Sequence, residues 1–215
     1  MSTDPSPTAD TTPAAPLVAP AAPSAERDVP GRRCFGDGDP LYERYHDEEW
    51  GRPVHGDGAL FERVSLEAFQ SGLAWITVLR KREAFRAAFA GFDAEVVAGY
   101  DEHDVDRLMA DAGIIRNRAK ITATIANARA LRELHAQGRT LDELFWSYAV
   151  PAADRERPRT GADVPAATPG SRELARELKR LGFRFVGPTT AYAALQACGM
   201  VDDHLAGCPV VTGRG

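Results

Sequence analysis

Four metal-ligating side chains fall near the two ends of the chain, Cys34 and His46 on one side and His204-x-x-x-Cys208 on the other. Two thiolates and two imidazoles match tetrahedral zinc in donor type and number, and four protein ligands leave no open position, so such an ion is structural. The spacing is not that of a zinc finger, and a shared ion would tie the two ends of the folded body together. The alternative is two surface histidines and two buried cysteines. Cys198 lies among small and apolar residues and reads as core. His55, His103 and His135 lack such partners and read as surface or cap residues. Three cysteines are too few for a dense disulfide framework, which points to a reducing interior with thiols free for metal.

A second chemistry sits in Gly182-Phe-Arg-Phe-Val-Gly187, between two helical patterns. Gly182 and Gly187 permit turns that a Cβ resists, and Pro188 suits the first turn of a helix running to Cys198 and stopping at Gly199. The start of that helix offers free backbone N–H groups to a DNA phosphate, with Arg184 in the hairpin itself. Residues 151–187 carry eight basic side chains against five acidic ones. An ordinary helical turn with a solvated basic face explains the same pattern.

The elements that must position these residues are helical. Of 215 residues, 44% are hydrophobic and 27% charged, ordinary for a globular protein with a sizeable core. No apolar run approaches a bilayer span, so no membrane role is expected. Net charge is −5, and Asp4, Asp10, Glu26 and Asp28 against Arg27 place most of it in residues 1–31. That Ala/Pro-rich stretch lacks the side chains to pack and reads as a disordered tail, without the basic start and apolar core of a secretory signal. The near-neutral body, 32–215, excludes nucleic-acid binding by bulk charge, so any such surface is local.

Within the body, Asp39-Pro40 opens a short helix over 41–50. Leu60, Phe61, Val64 and Ala68 mark the next, with Gly72 near its end. The pattern continues from Trp75 to Phe89. Asp101 reads as an N-cap for a helix that Gly113 closes, and Ile121, Ile125, Ala128 and Leu131 mark a longer one. Thr140-x-x-Glu143 is a capping box before Leu141, Leu144, Phe145 and Tyr148. Residues 151–170, with four prolines, read as a long exposed loop. Ser171 is expected to cap a helix carrying Leu174, Leu178 and Leu181, so the helix-hairpin-helix covers about 171–198. No sustained alternation marks a strand, and the expectation is an all-α fold.

Taken together, these residues resemble a known family. Asp39-Pro-Leu-Tyr-x-x-Tyr-His-Asp-x-Glu-Trp-Gly51, Leu66-Glu-x-x-Gln-x-Gly-Leu-x-Trp-Ile-Thr-Val-Leu79, Asp111-Ala-Gly-Ile-Ile-Arg-x-Arg-x-Lys120 and Gly182-Phe-x-Phe-Val-Gly187 with Val201-x-Asp-His204 are similar, in order, to the motifs of DNA-3-methyladenine glycosylase I. The resemblance implies a helix-hairpin-helix glycosylase fold whose zinc, one per chain, joins the N- and C-terminal parts through Cys34, His46, His204 and Cys208. It implies that Tyr45, Glu67 and Trp75 line the base pocket, with Glu67 as the catalytic group, and that Gly182, Arg184 and Gly187 meet DNA.

The implied chemistry suits those residues. N3-methylation leaves adenine cationic and already a good leaving group, so the pocket must mainly discriminate. Trp75 supplies a face for a cationic purine, Glu67 a complementary charge, and Tyr45 a hydrogen bond to a ring nitrogen. Outside the resemblance these are a core Trp, a solvated Glu and a satisfied Tyr, although Glu67 lies between Val64 and Ala68 on the apolar side of its helix. Phe35-Gly36 stands where the family usually has a tryptophan, so either Phe35 replaces that ring or the wall differs. Asp202 occupies the place of the wider superfamily's catalytic carboxylate; it assists the reaction or, the favoured reading, supports structure beside His204.

The implied activity is monofunctional hydrolysis of the N-glycosidic bond of 3-methyladenine in alkylated duplex DNA, leaving an abasic site. The lysines are Lys81, Lys120 and Lys179, none in the hairpin where lyase relatives place an amine. The second hypothesis is a non-catalytic zinc-containing binder of damaged DNA with the same fold. A cytoplasmic, nucleoid-associated monomer is expected.

Overall fold

The computed structural model describes residues 31–210. The tail expected over 1–31 therefore lies outside the described residues except for Gly31, whose N–H donates to the Gly207 carbonyl at 2.9 Å. The described residues form helices and turns and no strand, as the sequence predicts. None of the helices is long and apolar enough to cross a membrane.

In chain order the α-helices are α1 (Pro40–Glu48), α2 (Asp57–Gln70), α3 (Trp75–Leu79), α4 (Arg82–Ala88), α5 (Ala94–Ala98), α6 (Glu102–Ala110), α7 (Arg118–Ala136), α8 (Leu141–Trp146), α9 (Pro169–Arg180) and α10 (Pro188–Ala197). Asp39 caps α1 by accepting from the Leu41 and Tyr42 N–H groups. Asp101 opens α6 and Thr140 opens α8, each in a reciprocal capping box, with Asp104 and Glu143 as the returning partners. α2 and α7 form the centre of the core. Leu60, Phe61, Val64, Leu66 and Phe69 from α2 and Ile121, Ile125, Ala128, Leu131 and Leu134 from α7 are all buried. α10 packs on α2 and α9, and α5 on α7.

Four local expectations need correction. Trp75–Phe89 is not one helix. It breaks at Arg80–Lys81, where the Lys81 ammonium leaves the helical path to donate to the Ala112 and Gly113 carbonyls at 2.8 and 3.1 Å. Next, α6 ends at Ala110 with Asp111 as its cap, and Gly113 lies two residues beyond. The 151–170 stretch is less free than its prolines imply. Arg155 donates to the Val150 and Met200 carbonyls and Arg157 to Asp202 and the Val210 carbonyl, so the loop is fastened to the C-terminal segment. Finally, Thr168 rather than Ser171 caps α9. Pro169 takes the first helical position and the buried Ser171 hydroxyl closes the box from the third.

Two close approaches join the ends of this assembly. Gly199 has φ +73°, and a Cβ there would lie 2.7 Å from the Arg52 carbonyl carbon. That approach lets the Val54 N–H reach the Cys198 carbonyl at 3.1 Å, fixing the start of α2 against the end of α10.

Candidate active site and metal centre

α1 contributes to two sites through consecutive residues. Tyr45 turns into the body and is 2% exposed, while His46 is fully buried towards the chain ends. On the Tyr45 side, its ring centroid lies 5.3 Å from that of Trp75, the first residue of α3. Phe35 lies 4.9 Å from Tyr42 and 6.3 Å from Tyr45, so Phe35 does extend this aromatic wall. Gly36 makes that possible: at φ +94° it passes so close to the Tyr42 carbonyl that a Cβ would sit 3.1 Å from it.

Glu67 projects from α2 into the same region and is 6% exposed. Its carboxyl group has no hydrogen-bond partner among the described residues, and burial pushes its pKa up to about 8, opposed only by the charge of Arg63 one turn earlier. Arg63 is itself held by Glu49, which Arg82 clamps with two bonds at 2.5 and 2.9 Å. Tyr45 and Tyr42 both sense the Glu67 charge, which with burial raises their phenols, Tyr42 to about 12. The Trp75 Nε1–H is buried without a partner. The structure thus brings Tyr45, Glu67 and Trp75 together, with unpaired polar groups against aromatic faces.

On the His46 side, the ligand atoms of Cys34, His46 and Cys208 lie within 4.8 Å of one another. His204 stands outside that group, but its ring centroid is 5.1 Å from that of His46 and its Nε2 is buried with no partner. Each imidazole is oriented through its other nitrogen. His46 Nδ1 meets Asp47 at 2.8 Å, and Arg33 grips Asp47 with bonds of 2.7 to 2.9 Å. His204 Nδ1 meets Asp202 at 3.1 Å, and Arg157 donates to Asp202 at 2.9 Å. A carboxylate on Nδ1 fixes the tautomer and turns Nε2 inward, where that of His46 accepts from the Cys34 N–H at 3.2 Å and lies 3.6 Å from Cys208 Sγ, an outer support that suits a histidine able to bind a metal. Asp202 is therefore engaged with His204 and Arg157, as the structural reading of that residue expects. Burial pushes the Cys34 thiol up to about 12, so a metal entering here must displace its proton.

Between α9 and α10, Gly182 has φ +96° as expected. Gly187 does not need its freedom: φ is −80° and ψ 175°. A Cβ there would meet nothing within 4 Å, so what the glycine leaves is open space beside the start of α10, which has no side-chain cap. Instead Phe185 takes a positive φ, +58°, with its ring 47% exposed. Arg184 is exposed.

The profile of the methyladenine glycosylase family matches residues 35–211. The chain belongs to the methyladenine glycosylase family. It is 47% identical over 170 residues to DNA-3-methyladenine glycosylase 1 of Escherichia coli K12, covering 79% of this chain and 91% of that protein. It is 41% identical over 172 residues to DNA-3-methyladenine glycosylase of Haemophilus influenzae, covering 80% and 93%. The crystal structure of a 3-methyladenine DNA glycosylase I superposes with a TM-score of 0.80 at 45% identity, over 83% of this chain and 98% of that one.

Some residues escaped the sequence reading. Tyr42 was visible only as part of a motif, yet it joins the aromatic wall. Leu73, 36% exposed on the turn between α2 and α3, is a large apolar side chain in water beside Trp75; its signal was Gly72 before it. Lys120, 8% exposed, donates to the Phe69 and Ser71 carbonyls and so caps the end of α2 beyond Glu67. A lysine at a buried helix position is its only trace in the sequence.

Proposed function

We propose that this chain is a DNA-3-methyladenine glycosylase acting in base-excision repair, and that its pocket is Tyr45, Glu67 and Trp75. The observation that carries the pocket is Glu67: a buried carboxyl group without a hydrogen-bond partner beside a Tyr–Trp pair wants a flat, cationic, hydrogen-bonding ligand. A base flipped out of the duplex meets that description once N3-methylation has charged it. The cation favours ionised Glu67, so the proton that burial keeps on the carboxyl group leaves as the base enters. On cleavage the electrons of the C1′–N bond pass to the base, which departs neutral, and water bonds to C1′ in its place and gives up a proton to solvent. Glu67 holds the charged base, and Trp75 and Tyr45 fix its plane and edge. Leu73, exposed on the turn two residues before Trp75, suits the gap that the flipped base leaves in the stack.

DNA is held by the helix-hairpin-helix formed by α9, the 182–187 turn and α10. The open side of Gly187 and the uncapped start of α10 accept a phosphate, with Arg184 beside them. One zinc per chain, bound by Cys34, His46, His204 and Cys208, has a structural role. The unpaired, buried His204 Nε2 and the oriented His46 support that donor set, and four ligands close the site. The glycosylase domain spans residues 32–215. All these groups come from one chain, so a monomer suffices, and we place it in the cytoplasm on the nucleoid.

The test is release of free 3-methyladenine from methylated duplex DNA by purified protein, separated chromatographically. Release by the parent and not by Glu67→Gln supports the reading. Tight binding to methylated DNA with no release makes the protein a damage binder instead.

A further inference from the structure

Besides Lys120, which caps α2, α7 carries one more buried polar side chain that the helix itself does not use. Asn127 is 1% exposed, in a stretch where Thr124, Ala128 and Ala130 are buried around it. Asparagine is a poor residue for a helix interior, and a buried carboxamide is costly unless paired. Here both its ends are paired, and both to one residue of the hairpin. Asn127 Nδ2 donates to the Arg184 carbonyl at 3.1 Å, and the Arg184 N–H donates to Asn127 Oδ1 at 2.6 Å. These are the two backbone bonds a neighbouring strand would have offered, supplied by a side chain 57 residues away.

The next residue, Phe185, has φ +58° and an exposed ring. A residue with a Cβ stays in that region where its surroundings over-determine it. Its own ring is not buried and does not anchor it. What anchors it is on either side: Phe183 and Val186 are buried, and Arg184 is clamped by Asn127.

We infer that Asn127 is the positioning residue of the DNA-binding hairpin, fixing the Arg184–Phe185 backbone so that the surface from Arg184 to Gly187 is formed before DNA arrives. This rests on the hairpin being the phosphate-binding surface. Preforming a loop removes its ordering cost from the binding step, so losing the clamp is read as weaker DNA binding with the base pocket unaffected.

Two variants separate the inference from the reading it rests on. Asn127→Leu keeps the branched shape at the cost of some added bulk and leaves both Arg184 backbone groups unpaired. Gly187→Val adds a side chain whose Cβ meets no protein atom within 4 Å and suits an extended residue before proline, so it is expected to keep the fold and cover the open side of the hairpin. Affinity for undamaged duplex, binding of free 3-methyladenine by tryptophan fluorescence, and amide exchange of residues 182–187 are measured on both. Asn127→Leu is expected to weaken duplex binding about tenfold, as the loss of two neutral hydrogen bonds implies, to speed exchange at Arg184, and to change free-base binding less than about twofold. Gly187→Val is expected to weaken duplex binding without speeding exchange. If Gly187→Val loses the duplex and Asn127→Leu does not, Asn127 is packing only and the inference falls while the hairpin reading stands. If neither loses it, the hairpin reading fails and takes the inference with it. Asn127→Ala, which removes the clamp without adding apolar bulk, decides the matter if the leucine variant does not fold. Parallel loss of duplex and free-base binding in a folded Asn127 variant overturns the inference.

Discussion

The pocket and the junction of the chain ends both contain buried polar atoms with nothing to bind, yet they ask for different partners. At the junction, everything around the orphaned atom is already settled: Asp202 and Arg157 occupy the other side of His204, and Asp47 and Arg33 that of His46. On the zinc reading, two thiols and two imidazoles converge there on a single point charge, the chemistry of an ion. In the pocket nothing orients Glu67 by hydrogen bonding, and Trp75 Nε1 is equally unserved. Those groups sit with the Tyr45–Trp75 ring pair, and what suits them is something flat that brings its own donors and charge. The surroundings of an unpaired group, rather than the group alone, identify what completes it.

The sharpest way to break this contrast is Cys208→Ser. If the junction holds an ion, the variant loses bound zinc and its melting temperature falls by about 10 °C, since a domain of this size shifts by roughly 2–4 °C per kcal/mol and a lost tight ligand costs on the order of 3 kcal/mol. Metal analysis alongside calorimetry checks it; a protein that purifies without zinc and is indifferent to chelation removes the ion from the argument.

Pocket variants come next and leave the metal alone. Trp75→Ala removes a stacking face worth roughly 1–3 kcal/mol per base, so base release falls by about 5- to 150-fold while zinc content stays unchanged. Single-turnover excision on methylated duplex measures the loss; wild-type rates would make Trp75 a core residue.

Glu67 also ties the pocket to pH. Its folded pKa, about 8, is above the ordinary 4.5, so its contribution to stability is present in full below pH about 4.5 and is lost as pH rises through 8, where the buried group must ionise. Glu67→Gln removes the titration, so the variant gains on the parent across the window from pH about 4.5 to about 8 and overtakes it there, by up to about 5 kcal/mol. Denaturant titrations of both proteins at pH 5 and pH 9 expose the crossing, and parallel curves would show that Glu67 is solvated after all.

The smallest expected effect sharpens the other side. Asp202→Asn should lower zinc affinity about 10- to 100-fold, by releasing the His204 imidazole, and leave excision by zinc-loaded protein near the parent rate. Chelator competition reads the first and the excision assay the second. A large loss of excision with zinc retained would restore Asp202 to the chemistry.

What the sequence discloses about this molecule follows from how far each signal reaches. The caps at Asp101 and Thr140 were legible because a cap is settled within four residues. The break between α3 and α4 was not, because it depends on Lys81 reaching carbonyls 31 and 32 residues away, and nothing local distinguishes that lysine from a helical one. The same distance hid the Asn127 clamp and the tie of Arg157 to Asp202. Gly187 misled for the opposite reason: its conformation is ordinary, and what matters is the empty space that no local rule reports. At the site, residue types pointed to a metal and to a carboxylate on an apolar face, while the base pocket as such came from resemblance to a family. The meeting of Glu67 with Tyr45 and Trp75 is a product of α1, α2 and α3 packing.

The His46 imidazole and the Cys208 thiol meet across 162 residues of chain. On the zinc reading, the N-terminal pair of ligands therefore waits, during synthesis, until all ten α-helices have been made before its partners exist. A nascent chain halted at the end of α10 has Cys34 and His46 and no counterpart for either. Metal capture would then report that the chain has been made through Cys208, and one truncated before it, with its helices in place, would be marked by its failure to load.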